Sequence, residues 1–291
     1  MGYAVVKAGL LKASDSRVLS VVMVYLVTPC VIINAFQIDD TPEIRKGLLY
    51  SMAIAAAIHV VLLVLSALLS RPLKLDAVEQ VNVIYSNAAA LVIPLVKALM
   101  GDAYVIYSCA FIIVQLVLLW THASSLLQGS SALDWKKVLT NINMIAIAAG
   151  ALLYWFRVVL PAPLQNTMST VGNMMGPMGM LLAGMAIAEK PLREVFCTRR
   201  NYLPTVLRLV VCPLVVLVLL WVCHASSWVA DGKNILMTVY LAAITPACAT
   251  VTSMAQLYDR DAAHSSALYV LTTLLSIVSM PIMIGLFDLL L

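Results

Sequence analysis

The chain has 291 residues, of which 63% are hydrophobic and only 11% are charged. A soluble domain carries roughly 25% charged residues, so this composition excludes a water-facing globular protein and indicates a polytopic membrane protein. The net charge of +4 comes from basic residues in short segments between apolar runs, which excludes a nucleic-acid-binding surface.

The chain opens on an apolar segment, residues 1–11, that is too short to span a membrane and is crowded by Lys7 and Lys12. No basic region precedes it, as one would in a signal peptide. We interpret the segment as the end of a first helix whose beginning is absent.

Nine further stretches lack Asp, Glu, Lys and Arg and reach the length of a membrane-crossing helix, about 20 residues with a range of roughly 17 to 25. They are 18–38, 47–70, 80–96, 103–133, 138–156, 158–188, 209–230, 234–258 and 262–287. The stretches show no alternation of polar and apolar residues, so helices are expected rather than the strands of a barrel. With the incomplete first helix, the sequence predicts ten helices.

Two of these stretches are interrupted in the same way. Residues 85–94 read Tyr-Ser-Asn-Ala-Ala-Ala-Leu-Val-Ile-Pro, and residues 243–250 read Ala-Ile-Thr-Pro-Ala-Cys-Ala-Thr. Proline removes a backbone donor and frees a carbonyl that other groups must satisfy. Corresponding breaks in two halves of a membrane protein are the best sequence pointer to the binding site of a transporter.

The prolines also suggest a repeat. Pro29 and Pro177 are 148 residues apart, and Pro94 and Pro246 are 152 apart. Five helices in each half would make the halves cross the membrane in opposite directions, which is an inverted repeat. The predicted domains are a first five-helix repeat at 1–127, a cytoplasmic linker at 128–137 and a second five-helix repeat at 138–291.

The basic residues predict the orientation. If the stretches alternate across the membrane, thirteen of the 18 Lys and Arg residues fall on one side, Arg208 among them, and five on the other. The positive-inside rule makes the first side cytoplasmic. We therefore expect a multi-pass protein of the cell membrane, in bacteria the inner membrane, with the C-terminus at Leu291 outside.

Residues 87–94 resemble the fourth-helix motif of the auxin efflux carrier (AEC) family, whose members include bacterial malate and malonate permeases. Residues 245–247 resemble its ninth-helix motif, and residues 182–188 match its seventh helix. The resemblance implies two inverted five-helix repeats, two crossed and unwound helices at the midplane, and secondary transport of organic anions such as malate, malonate or auxin-like acids. Ala89 and Val92 replace two glycines of the family motif, so we expect a tighter first break.

An anion in a low-dielectric site needs positive potential, and the spans offer almost no Lys or Arg. Helix N-termini can supply it, and we expect half-helices that start near Pro94 and Pro246. Each polar group beside the breaks also has an alternative role in capping a helix end or in bonding between helices. The predicted substrate-binding residues are Tyr85, Ser86, Asn87, Pro94, Thr245, Pro246, Thr250, Asn34 and Asn173.

The sequence favours a secondary carrier of a small mono- or dicarboxylate. It would work by alternating access, with one repeat's bundle rocking against the other. A sodium-coupled carrier like the bile-acid symporters and a non-transporting sensor remain alternatives. The sequence holds no constellation typical of an enzyme, so no catalytic residue, cofactor or metal site is predicted. The expected partners are the organic anion and the lipid bilayer, with no nucleic acid; a homodimer is left open.

Overall fold

The computed structural model describes residues 2–37, 41–129, 140, 142–188, 192–229 and 231–291, so most of the predicted linker at 128–137 lies outside the described residues. Within the described ranges the regular structure is helical, apart from one isolated β-bridge. Five helices are long and apolar enough to cross a membrane: Ser16–Asn34, Pro42–Ser70, Ile106–Gln128, Arg199–Val222 and Ala262–Leu290. The prediction of an all-α polytopic membrane protein is confirmed.

The described helices form ten successive segments, and the fourth, seventh and ninth are each broken into two parts. They are α1 (Gly2–Lys7), α2 (Ser16–Val22, a π-helical turn at Met23–Val27 and Thr28–Ala35), α3 (Pro42–Ser70), α4a (Ala77–Ile84), α4b (Ala88–Met100), α5 (Val105–Leu118, a π-helical turn at Leu119–Ala123 and Ser124–Gln128), α6 (Ile142–Trp155), α7a (Ala162–Gly172), α7b (Met175–Ile187), α8 (Arg199–Val206, a π-helical turn at Leu207–Val211 and Cys212–Val222), α9a (Gly232–Ile244), α9b (Ala249–Leu257) and α10 (Ala262–Leu290). A short helix, Leu192–Cys197, precedes α8.

Two of the π-helical turns end two residues before a proline. Pro29 follows the turn at 23–27, and Pro213 follows the turn at 207–211. Because proline has no N–H and its ring clashes with the carbonyl four residues earlier, a wider turn at that point lets the helix continue. One of these widened turns carries Arg208, in the middle of α8.

The ten segments pack as two units, and each unit combines helices from both halves of the chain. We call α1, α2, α6 and α7 the four-helix unit, and α3, α4, α5, α8, α9 and α10 the six-helix unit. A motion of one sequence repeat against the other does not fit this packing, because the helices that pack together come from both halves. The predicted boundaries of the two repeats stay a prediction.

The two units meet mainly where α2 and α7b pack against α9b and α10, with smaller contacts of α2 and α6 with α5 and of α7b with α4b. The contact surface is made of small and flexible apolar side chains. A Cβ atom added to Gly179 would lie 2.9 Å from the Cβ of Ala249, so the two helices approach closely. Met23, Met175 and Met178 form an apolar cluster on the four-helix side. Methionine adapts to irregular gaps, so this surface can repack as the units shift.

The charged loops gather at two opposite ends of the molecule. Arg17 pairs with Asp259 over 3.0 Å at one end, and the Tyr104 hydroxyl donates to Asp231 over 2.6 Å at the other. Asp231 and Asp259 flank the two ends of α9, so these contacts are on opposite sides. Arg208 departs from the prediction: it was assigned to a loop, but it lies within α8 with a relative exposure of 1%.

Candidate functional site

The segments α4 and α9 cross at their breaks, where an isolated antiparallel β-bridge joins the two chains. The N–H of Asn87 donates to the carbonyl of Pro246 over 2.8 Å, and the N–H of Cys248 donates to the carbonyl of Tyr85 over 3.2 Å. Each break thus satisfies backbone groups that the other leaves free, which a membrane interior requires. The crossing that the resemblance implied is present.

The backbone of both breaks is extended and has negative φ. Tyr85 has φ −95° and ψ 125°, and Cys248 has φ −75° and ψ 124°. Any residue adopts these angles, so glycine is not required for the break itself. Ala89 and Val92, which replace the family glycines, both lie within the helix α4b, where alanine is favourable.

The position of Pro94 differs from the one we predicted. Helix α4b begins at Ala88, so Pro94 lies inside the helix and the prediction that a half-helix starts near it is wrong. The side chain of Pro94 is outside the described part of the structure. Pro246, by contrast, lies in the second break, three residues before α9b begins at Ala249. Helix α4a ends at Ile84, and no proline lies at that end.

Gln115 of α5 holds the first break. Its Oε1 accepts from the Ser86 N–H over 3.0 Å and from the Ser86 hydroxyl over 2.6 Å, and its Nε2 donates to the Ser86 carbonyl over 2.8 Å. Both residues are buried. The polar atoms of Ser86 are therefore engaged in holding the break. A lone glutamine in an apolar stretch was the available sequence signal for this role.

Thr272 of α10 holds the second break, as Gln115 holds the first. Its hydroxyl accepts from the Ala247 N–H over 3.1 Å and donates to the Leu268 carbonyl over 2.7 Å. The Thr245 hydroxyl donates to the Ala242 carbonyl over 3.0 Å, within its own helix end.

Tyr85 has a similar structural role at the first break. Its side chain is fully buried, and its hydroxyl donates to the Leu118 carbonyl of α5 over 3.1 Å and lies 3.0 Å from His122 Nδ1. For Tyr85, Ser86 and Thr245, the described contacts correspond to the alternative role of bonding within and between helices.

Arg208 bonds the ends of both helices that lead into the breaks. Its Nη1 donates to the carbonyls of Val83 and Ile84 over 3.1 and 3.2 Å, at the end of α4a. At the end of α9a, Nε donates to the Thr245 carbonyl over 3.1 Å, and Nη2 donates to the same carbonyl over 2.8 Å and to that of Ala243. Sequence reasoning missed this residue because it stands one position before the charge-free stretch at 209–230. Allowing one charge per span would have included it.

Asn87 and Thr250 lie where α4b and α9b begin. The first N–H groups of each half-helix have no acceptor within the helix. Asn87 immediately precedes α4b with a relative exposure of 3%, and its side chain interacts with the Tyr269 hydroxyl of α10. Thr250 lies in the first turn of α9b with an exposure of 2%. Two helix N-termini and neutral polar groups thus meet in one buried region.

The other two predicted asparagines make no described hydrogen bond at the crossing. Asn34 lies on α2, which packs against α6 and α7a. Asn173 is exposed at the break between α7a and α7b, where its N–H donates to the Ser169 carbonyl. Both are described residues, and neither side chain hydrogen-bonds to either break.

A charged cluster lies at the end of the six-helix unit where α4a begins. Asp76, Glu79 and His264 offer ligand atoms within 4.8 Å of one another. Arg200 donates from Nε to Glu79 over 2.7 Å and contacts Asp76 at 3.4 Å. Its guanidinium already provides the positive charge of this cluster, so the arrangement favours an ion-pair network over a cation site.

The match to a known protein family covers almost the entire chain. A family model described as "Membrane transport protein" matches residues 1–136 and 130–284. A search of curated proteins found no match.

Proposed function

We propose that this chain, which belongs to the family of membrane transport proteins, is a secondary carrier of a small organic anion that binds where α4 and α9 cross. The membership confirms the resemblance to the auxin efflux carriers and makes the protein a multi-pass membrane transporter. The substrate class, the site and the mechanism are our inference from the crossing.

The observation that carries the proposal is the meeting of two helix N-termini at a buried point. Each helix N-terminus acts as roughly half a positive charge, and its N–H groups point toward an anion. Asn87 stands beside the start of α4b and Thr250 in the first turn of α9b, and both are buried. A carboxylate is therefore the chemical group that these donors fit best, with Asn87 as the principal side-chain contact.

Among the described residues, no carboxylate hydrogen-bonds to either break. An acidic side chain there would repel an anionic substrate, while neutral amide and hydroxyl groups can donate to it. We accordingly favour the organic-anion carrier over the sodium-coupled alternative. Of the predicted site residues we retain Asn87 and Thr250 as substrate contacts.

For the transport step we propose alternating access by the two units. The six-helix unit carries the crossing, and the four-helix unit faces it through α2 and α7b. The contact of Gly179 with Ala249 and the methionine cluster on the four-helix side are weakly directional, so sliding costs few hydrogen bonds. We keep the expectation of a cell-membrane protein with its C-terminus outside.

Uptake of labelled malonate and acetate into proteoliposomes tests this function. We expect saturable uptake by the unaltered protein and roughly a tenfold to hundredfold loss of apparent affinity in Asn87→Ala, since one hydrogen bond to a charged group contributes about 1.5–3 kcal/mol. Asn173→Ala is the matched control, because that asparagine is exposed at the break of α7 and hydrogen-bonds to neither break of the crossing. Saturable uptake that is unchanged in Asn87→Ala, or lost equally in Asn173→Ala, contradicts the site. No uptake of any organic acid contradicts the substrate class.

A further inference from the structure

We propose that Arg208 is a positioning residue that makes the crossing selective for anions. It would do so by holding both incoming half-helices and by cancelling the negative potential of their ends. The inference rests on the proposed function and deepens it, because it identifies the source of the selectivity.

The guanidinium uses all of its donors on the crossing. It has five N–H groups, and it makes five hydrogen bonds, to the carbonyls at residues 83 and 84 of α4a and to those at residues 243 and 245 at the end of α9a. Arg208 belongs to neither helix, since it lies in the widened turn of α8. One side chain therefore fixes the ends of both helices relative to each other.

These carbonyls are the groups that a helix C-terminus leaves without partners. In a membrane interior each unpaired one costs several kcal/mol, so the two helices could not both end here without a shared donor. The breaks and the arginine thus form a single arrangement, in which the first break needs no proline.

The partial charges of the four helix ends and the charge of Arg208 determine the potential at the crossing. Each helix C-terminus carries about half a negative charge and each N-terminus about half a positive charge. The two C-terminal ends at the crossing sum to roughly −1, and the guanidinium of Arg208 offsets them. The N-termini of α4b and α9b then remain as a net positive potential. Without the guanidinium the four helix ends would cancel, and the preference for an anion would be lost.

Lysine could not replace this residue. An ammonium carries three N–H groups on one atom, whereas the planar guanidinium spreads five over three nitrogens. Arg208→Lys therefore keeps the charge but leaves at least two of the five bonds unmade. Arg208→Met removes both the charge and the bonds. The two variants separate the electrostatic role from the positional one.

Binding of a monocarboxylate and a dicarboxylate to purified protein tests the charge role, with acetate and malonate as probes. Removing one nearby charge weakens binding by roughly tenfold for each substrate charge. We expect Arg208→Met to lose about tenfold for acetate and about a hundredfold for malonate. Arg208→Lys should bind both more weakly but keep their ratio. The control is Arg199→Met, an exposed arginine of the same helix, which should change neither.

Amide hydrogen exchange tests the positional role without any substrate. Both variants should exchange faster than the unaltered protein at 83–88 and at 243–250 together, while the middle of α5 is unchanged. Exchange that is unaltered at both breaks overturns the proposal, as does an equal loss of affinity for acetate and malonate in Arg208→Met.

The exchange experiment also separates this inference from the proposed function. If the unaltered protein binds neither carboxylate but both breaks loosen, the proposed substrate class and the selectivity role are wrong, while the positional role is upheld. If Arg208→Met does not fold, Arg208→Lys decides: it must loosen both breaks and keep the malonate-to-acetate ratio.

Discussion

The two breaks at the crossing reach the same backbone geometry with different residues. The first, at 85–87, contains neither proline nor glycine and is held by three hydrogen bonds to Gln115. The second, at 245–248, contains Pro246, and its Ala247 N–H donates one hydrogen bond to the hydroxyl of Thr272. A membrane helix thus ends where partners for its free backbone groups are available, whether or not the chain carries a helix-breaking residue.

The two breaks also differ in how much they depend on hydrogen bonds from a neighbouring helix. Where proline prevents the helix from continuing, one neighbouring hydroxyl is the support beyond the bonds from Arg208. Where the sequence alone would continue as a helix through alanines, a buried amide side chain must compete for the backbone. The first break therefore depends more on its neighbour in α5 than the second depends on its neighbour in α10.

The largest effect is expected from Gln115→Leu. This change leaves the buried N–H and carbonyl of Ser86 without partners, and each unsatisfied group costs about 1–3 kcal/mol. We expect the free energy of unfolding in detergent to fall by about 2–4 kcal/mol. Thr272→Val, which leaves only the Ala247 N–H unpaired, should cost about 1–2 kcal/mol.

The control for this pair is Thr167→Val, because that exposed threonine bonds only within its own helix in the described structure. It should change the unfolding free energy by less than about 0.5 kcal/mol. A loss in Thr272→Val that equals or exceeds the loss in Gln115→Leu would show that the first break is not the more dependent one.

The smallest effect is expected from Ala89→Gly, which restores a family glycine. Position 89 lies in the first turn of α4b, so glycine there costs about 1 kcal/mol of stability and should not change the break. Thermal unfolding and the affinity for malonate measure the two consequences. A gain in stability would mean that alanine strains the backbone at position 89. The first break would then be tighter than one with the family glycine.

The sequence was sufficient to locate the apolar helices and the second break, because length, charge and proline are local signals. It could not place the start of the first half-helix. Pro94 is the conspicuous residue there, but the helix begins at Ala88, where the N–H of the preceding Asn87 pairs with α9. That contact joins residues far apart in the chain, and periodicity carries no information about it.

Arg208 was misplaced for a related reason. A charge at the edge of an apolar stretch is most simply assigned to a loop, and only the packing of three segments around it makes it part of the interior. The grouping of the helices into two mixed units was likewise beyond the sequence. An inverted repeat fixes the order of the helices, but it does not determine which helices pack together.

The paired breaks are proposed to form one anion site, and the thiol of Cys248 lies in the second break, where it can report on binding. A protein with Cys248 as its sole cysteine should react more slowly with a maleimide when malonate is present. At ten times the Kd about a tenth of the protein is unoccupied, so we predict roughly tenfold slower labelling. A protein with Cys109 alone, also buried but on α5, should label at an unchanged rate. Saturable malonate uptake with no protection of Cys248, or with equal protection of Cys109, would contradict the claim.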